Sequence, residues 1–160
     1  MLKSISRKFA NPKEKALRAC KETGNAEKLL KALSLLKSSD DDNVILSHGY
    51  TAIHLCCMHG QLDCVQALVE NNYDINISNN ESGVTPLHLA SQKGFLDVVK
   101  YLLKSPKCDI QKLCKHGNNC LHYAVEANHK EVIFLIDIST NIYDIILSLF
   151  RSLHFFLKME

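Results

Sequence analysis

The sequence predicts an all-α fold, a solenoid of antiparallel helix pairs joined by hairpin-like loops. Three observations lead there. All six glycines fall into two recurring slots. Gly24, Gly60 and Gly94 occupy one, in "TGNAEKLLKAL", "HGQLDCVQALV" and "KGFLDVVKYLL"; Gly49, Gly83 and Gly117 occupy the other, in "HGYTAIHL", "SGVTPLHL" and "HGNNCLHY", spaced 34 apart. Such recurrence is what a backbone needing positive φ at fixed points produces. Finally, each slot is followed by an apolar pattern of helical period, which makes the repeating unit two helices long.

The chain opens on a basic arm, expected over 1–13. Residues 1–39 hold ten Lys/Arg against three Glu, whereas the remainder holds nine against fourteen acids. In "MLKSISRKFA", Leu2, Ile5 and Phe9 alternate with Lys3, Arg7 and Lys8. A mitochondrial targeting segment has this character, but the stretch is short and runs straight into "NPKEKALRACKE", so a solvated arm is expected. A first helix pair then follows in "ALRACKETGNAEKLLKAL", within a unit at about 16–48.

The unit is clearest at 83–116. Thr85 caps a helix whose first position is Pro86, where a missing N–H costs nothing. Leu87, Leu89 and Ala90 are expected to face inward. Gly94 ends that helix, and Leu96, Val99, Leu102 and Leu103 recur at the spacing of a second one. The polar "DINISNNESG" leading in suits an extended loop.

"GVTPLHLASQKGFLDVVKYLLKS" resembles the consensus of the ankyrin repeat. The copy at 49–82 matches it with Ala52 for proline and ends in the family's "DIN" phrase. The copy at 117–140 has Asn119 for threonine, Cys120 for proline and Asn128 for the inter-helix glycine, and Asn is the best substitute for left-handed geometry. The copy at 16–48 is degenerate, as terminal repeats are. Single insertions near Asn80 and Lys107 lengthen the period from the family's usual ~33 and fall in loops. Asp137 is expected to replace the last core leucine of the final copy. Beyond it, residues 141–160 place Ile145, Ile146, Leu149, Phe150, Leu153, Phe156 and Leu157 on one broad helical face. This is too short and too charged for a membrane span, which needs ~20 apolar residues. It suits a helix docked on the open end of the solenoid, or one that contacts a partner or membrane surface, or the end of a truncated array.

Composition bounds the chemistry. With 46% apolar and 22% charged residues and a net charge of +2, this is ordinary globular material. Seven cysteines without a secretory signal read as reduced thiols in the cytoplasm or nucleus. "LCCMHG", with Cys56 and Cys57 near His59, first suggests a soft-metal or nucleophilic site. Yet Cys20, Cys56, Cys57 and Cys64 take small or core slots of the repeat, where a free thiol acts as a small hydrophobe. Cys108, Cys114 and Cys120 lack the close pairing of zinc ligands. Cys–His catalysis lacks an orienting third group. No metal, cofactor or enzymatic activity is therefore expected, nor nucleic-acid binding; bound zinc, a fast-reacting thiol or salt-dependent nucleic-acid binding would reverse those readings.

The resemblance implies the rest. His54, His88 and His122 occupy the slot whose histidine, in the family, hydrogen-bonds neighbouring backbone. The family's variable partner-contacting positions fall on His48, Tyr50, Met58 and His59, then Ser82, Val84, Gln92 and Lys93, then His116, Asn118, Glu126 and Ala127. Tyr50, Met58 and His59 are the expected hot spot. "LVENNYDIN" is similar to the pattern accepted by the ankyrin-directed asparaginyl hydroxylase, which makes Asn76 a modification candidate; its ordinary role would be to hydrogen-bond within its own loop. The expected function is non-catalytic protein–protein binding, as an adaptor or scaffold, through a concave groove. The alternative is the N-terminal cytosolic segment of a larger protein, such as an ankyrin-rich ion channel, here truncated.

Overall fold

The computed structural model describes residues 11–22, 25–36 and 44–140. Residues 1–10 of the expected basic arm, Gly24 and the expected apolar helix at 141–160 lie outside them.

Helix α1, Pro12–Ala19, begins inside the segment expected to be a solvated arm. The reason is local: the Asn11 side chain accepts from the Lys13 amide at 2.9 Å, and Pro12 stands at the first turn. Its pair α2, Ala26–Ser34, buries Leu29, Ala32 and Leu33. Next, β1 (Ile45–Ser47) and β2 (Tyr50–Thr51) form an antiparallel hairpin that pairs Ser47 with Tyr50. His48 and Gly49 turn it with φ of 45° and 72°, the double left-handed turn that matches strand twist. This small ribbon is an addition to the all-α expectation.

The next repeat comprises α3, Ala52–Met58, and α4, Leu62–Glu70. It is followed by α5, Pro86–Lys93, and α6, Leu96–Lys104. The last described pair is α7, Cys120–Glu126, and a helix over 130–140, α8. First helices stack on first helices, α1 on α3, α3 on α5 and α5 on α7; second helices stack likewise, α2 on α4 and α4 on α6. Two parallel layers result, with one continuous core between them.

The core repeats with the chain. Cys64, Val98 and Val132 hold one fully buried column, and Leu68, Leu102 and Ile136 another. Asp137 is therefore a milder departure than expected. It stands in the slot of Leu103, which is itself only partly buried, and the core position beside it is kept by Ile136. The helix continues through Asp137 to residue 140.

Close approach explains the inter-helix glycines beyond their φ. A Cβ on Gly94, where φ is 73°, would lie 2.5 Å from Nδ1 of His129. His129 in turn reaches back with Nε2, 3.0 Å from the carbonyl of Gln92. Asn128 takes the matching slot with φ of 58°, as its short polar side chain allows.

Candidate functional site

Each repeat offers two surfaces that successive copies extend: the loop tip and the end of its first helix. What fixes their geometry is the histidine after each cap. The Thr51 amide donates to Nδ1 of His54 at 3.3 Å, and the Thr85 amide to Nδ1 of His88 at 3.2 Å. An Nδ1 that accepts leaves the proton on Nε2. That Nε2–H then donates to the next repeat, His54 to the Val84 carbonyl at 3.0 Å and His88 to the Asn118 carbonyl at 3.1 Å. Burial holds both rings neutral, pushing His54 down to about 4 despite the opposing hydrogen bond to Val84, and His88 down in the same sense.

The loops are tied by asparagines. Asn79, buried, accepts with Oδ1 from the amides of Glu81 and Ser82 at 2.8 and 3.0 Å, and donates with Nδ2 to the His48 carbonyl at 2.9 Å. Asn76 bridges in the other direction. Its Nδ2 donates to the Lys107 carbonyl, and its Oδ1 accepts from the Asp109 amide. The expectation that Asn76 bonds within its own loop is corrected: its side chain joins two neighbouring loops, because the next loop places Lys107 and Asp109 alongside it. Asn76 remains half-exposed.

The expected partner-contacting residues divide into three groups. His48, Lys93, His116 and Glu126 are exposed, while Met58, His59, Gln92 and Ala127 are half-buried. Burial and the nearby charges of Lys21 and Lys93 lower the pKa of His59. Ser82 and Asn118 are half-buried and give their carbonyls to scaffold bonds, from the Lys115 amide and from His88. Val84 is the correction. Its side chain is 5% exposed and packs with Leu89 and Cys114, so it is not presented outward. The loop turns it in because Cys114, at the far end of the same repeat, lies beside it.

That packing creates a second apolar cluster, apart from the main core. Tyr50, Met58 and Tyr123, all half-buried, pack against Val84, Leu89 and Cys114, so three consecutive repeats contribute two, three and one residues. Tyr50 leans on His54 with ring centroids 5.6 Å apart, and Tyr123 meets His88 edge-on at 5.2 Å. The Tyr123 hydroxyl donates to Cys114 Sγ at 3.6 Å. Burial acts upward on the Cys114 thiol, but this hydroxyl and the backbone amides of its own turn outweigh it and lower its pKa. Burial and the same bond push Tyr123 up to about 12. Tyr123 and Cys114 were missed in the sequence, and Leu89 was read as core. The signal lay in the slot, since Tyr123 stands where the preceding copies carry Leu55 and Leu89.

The thiols of "LCCMHG" are structural. Cys56 and Cys57 are fully buried, and burial raises the Cys57 pKa. Cys56 contacts Cys20 and Cys64, and those thiol neighbours together with burial raise its pKa as well. Among the described residues no group of His, Cys, Asp and Glu could hold a metal ion. No helix there is long and apolar enough to cross a membrane.

The family model described as "Ankyrin repeats (3 copies)" matches residues 16–114 and again 79–144. The chain belongs to the ankyrin-repeat family. Its repeats are a general protein–protein interaction module of a non-catalytic kind. Alpha-latrotoxin-Lt1a of Latrodectus tredecimguttatus is 33% identical over 112 residues, which cover 70% of this chain and 8% of the toxin. SMC5-SMC6 complex localization factor protein 1 of Homo sapiens is 35% identical over 121 residues, 74% of this chain and 11% of that protein. B-cell lymphoma 3 protein homolog of Mus musculus is 37% identical over 94 residues, 56% of this chain and 20% of its own length. The ankyrin chain thus spans between 8% and 20% of these curated relatives.

Proposed function

We propose that this chain is a non-catalytic adaptor or scaffold that holds a partner protein through the concave face of its ankyrin repeats. The observation that carries the reading is the second apolar cluster. Three repeats build it, and Tyr50, Met58 and Tyr123 are its half-buried aromatic and adaptable side chains, the kind that dominate interface energies. Lys93, His59, Gln92 and Glu126 supply polar groups at the helix ends. The reduced thiols suit the cytoplasm or nucleus. Asn76 is half-exposed in its loop and serves as the candidate for asparaginyl hydroxylation.

A second reading rests on the span of the relatives. Because this chain matches a small part of longer proteins, it also suits an N-terminal ankyrin segment of a larger protein, such as an ankyrin-rich channel. In both readings the groove binds protein.

The test is affinity enrichment from cell extract with wild type beside a Tyr50→Ala, Met58→Ala, Tyr123→Ala variant, both checked for helical content. The reading expects at least one bound protein to be depleted about tenfold or more, the scale of losing one hot-spot residue. Identical bound sets from two folded proteins would sink it.

A further inference from the structure

On α2, Lys28 and Lys31 fill two slots that are apolar in every later repeat. Counted from the inter-helix turn, Lys28 matches Cys64, Val98 and Val132, all buried, and Lys31 matches Ala67, Tyr101 and Leu135, all half-buried. Cys64 shows what covers the first slot elsewhere: its thiol donates to the Ala19 carbonyl of the preceding repeat at 3.9 Å. No described repeat precedes α2, and both lysines are exposed. A solvated end face accounts for polar residues in such slots. It does not account for their sign. Lys15 and Arg18 of α1 line the same cleft as Lys28 and Lys31, with a volume of about 620 Å³, within the range of ligand pockets. Against these four cations the cleft holds one carboxylate, Glu22, which already accepts from Asn25 Nδ2 at 3.3 Å. None of the four cations has a carboxylate partner among the described residues. Apolar surface lies beside the charges, in the buried Ala19 and Ala32 and in Leu35, which is 64% exposed at the end of α2.

We propose that this cleft, on the outer side of the first helix pair, binds an extended acidic segment of another protein that carries an apolar side chain among its carboxylates. The spacing suits an extended chain. Residues three apart on a helix stand about 5–6 Å apart at Cβ, so each wall offers two cations at close to the roughly 7 Å interval between alternate residues of a strand. An apolar side chain of the segment covers Leu35 and the two alanines, which a purely electrostatic ligand would leave wet. Nucleic acid is the other common polyanion, but no aromatic side chain lines the cleft for a base to stack on. The cleft contains none of the residues assigned to the concave groove, so the inference stands apart from what that groove binds.

The test uses the full chain and a fluorescein-labelled peptide, Asp-Leu-Asp-Leu-Asp-Asp, read by fluorescence anisotropy. Beside it run the same peptide with asparagine for aspartate and a short thymidine oligonucleotide of similar charge. At low salt the acidic peptide should bind about tenfold or more tightly than the asparagine peptide, and high salt should erase the difference. Lys28→Glu, Lys31→Glu should weaken the acidic peptide about tenfold or more. Lys100→Glu, Lys104→Glu makes the same charge change at exposed lysines of α6 and should leave binding unchanged. All four substitutions are at exposed positions, and circular dichroism matching wild type checks that both variants fold. Absence of binding, equal binding of the asparagine peptide, or equal losses in the two variants would overturn the proposal, the last by reducing the attraction to net charge. An oligonucleotide that binds more tightly than the acidic peptide, and is lost with Lys28→Glu, Lys31→Glu, would give the cleft to nucleic acid and overturn it too.

Discussion

Nε2 of His54 lies 3.0 Å from the carbonyl oxygen of Val84, thirty residues on, while its Nδ1 takes the amide of Thr51 in its own repeat. One neutral imidazole thereby closes a helix cap and binds the next repeat. Both bonds require the ring to stay uncharged on Nδ1. Burial supplies that condition, holding His54 at about 4 against its ordinary 6.5.

Stability should therefore depend on pH in a definite window. The unfolded chain takes up the proton on His54 first, so the contribution is full above 6.5 and is lost as pH falls toward 4. From that displacement the loss is roughly 3 kcal/mol, and His88 adds in the same direction. Urea unfolding at intervals across this range should show the decline, and a His54→Gln variant should flatten it. A wild-type profile that is level from 6.5 to 4 would show that the buried ring is not held neutral.

Gly117 and Gly94 should respond unequally to alanine. At Gly117 φ is 77° but a Cβ would meet nothing within 4 Å, so Gly117→Ala bears only the left-handed backbone cost, roughly 1–2 kcal/mol. At Gly94 the same cost is joined by displacement of the His129 ring, for a total of roughly 2–5 kcal/mol. Equal losses in thermal or chemical melts would mean that close approach of repeats plays no part.

These glycines were legible in the sequence because their positive φ is a local requirement that recurs. The caps, the histidine slot and the small cysteine slots were legible for the same reason. Val84 was not, since whether a loop residue turns in or out depends on Cys114 and Leu89, which belong to another loop and another helix. Asn79 escaped notice likewise; a buried asparagine is recognised by its partners, and His48 lies 31 residues away. Asp137 misled in the opposite direction, because the slot it fills is less buried than its leucine suggested.

Asn79 and Asn76 offer a measured contrast. Asn79→Ala removes buried bonds and leaves the His48 carbonyl without its donor, at a cost of roughly 2–4 kcal/mol. Asn76→Ala breaks bonds of a half-exposed side chain that water can replace, at about 1 kcal/mol. Denaturant midpoints of the two variants, measured side by side, should keep this order; the reverse would move the main loop anchor to Asn76.

Ser91 is where the repeat can be improved. It fills the slot that Cys57 takes one copy earlier, both are fully buried, and among the described residues the Ser91 hydroxyl has no hydrogen-bond partner. An unpaired buried hydroxyl costs on the order of 1 kcal/mol or more, whereas a thiol of similar shape is content among apolar neighbours. Ser91→Cys should therefore stabilise the protein by about 1 kcal/mol, seen as a rise of roughly 3–5 °C in the melting midpoint under reducing conditions. Ser91→Ala should gain less, because it removes the polar atom but leaves a small void in its place. If Ser91→Cys instead lowers the midpoint, the hydroxyl is satisfied by bound water and the slot is polar by requirement.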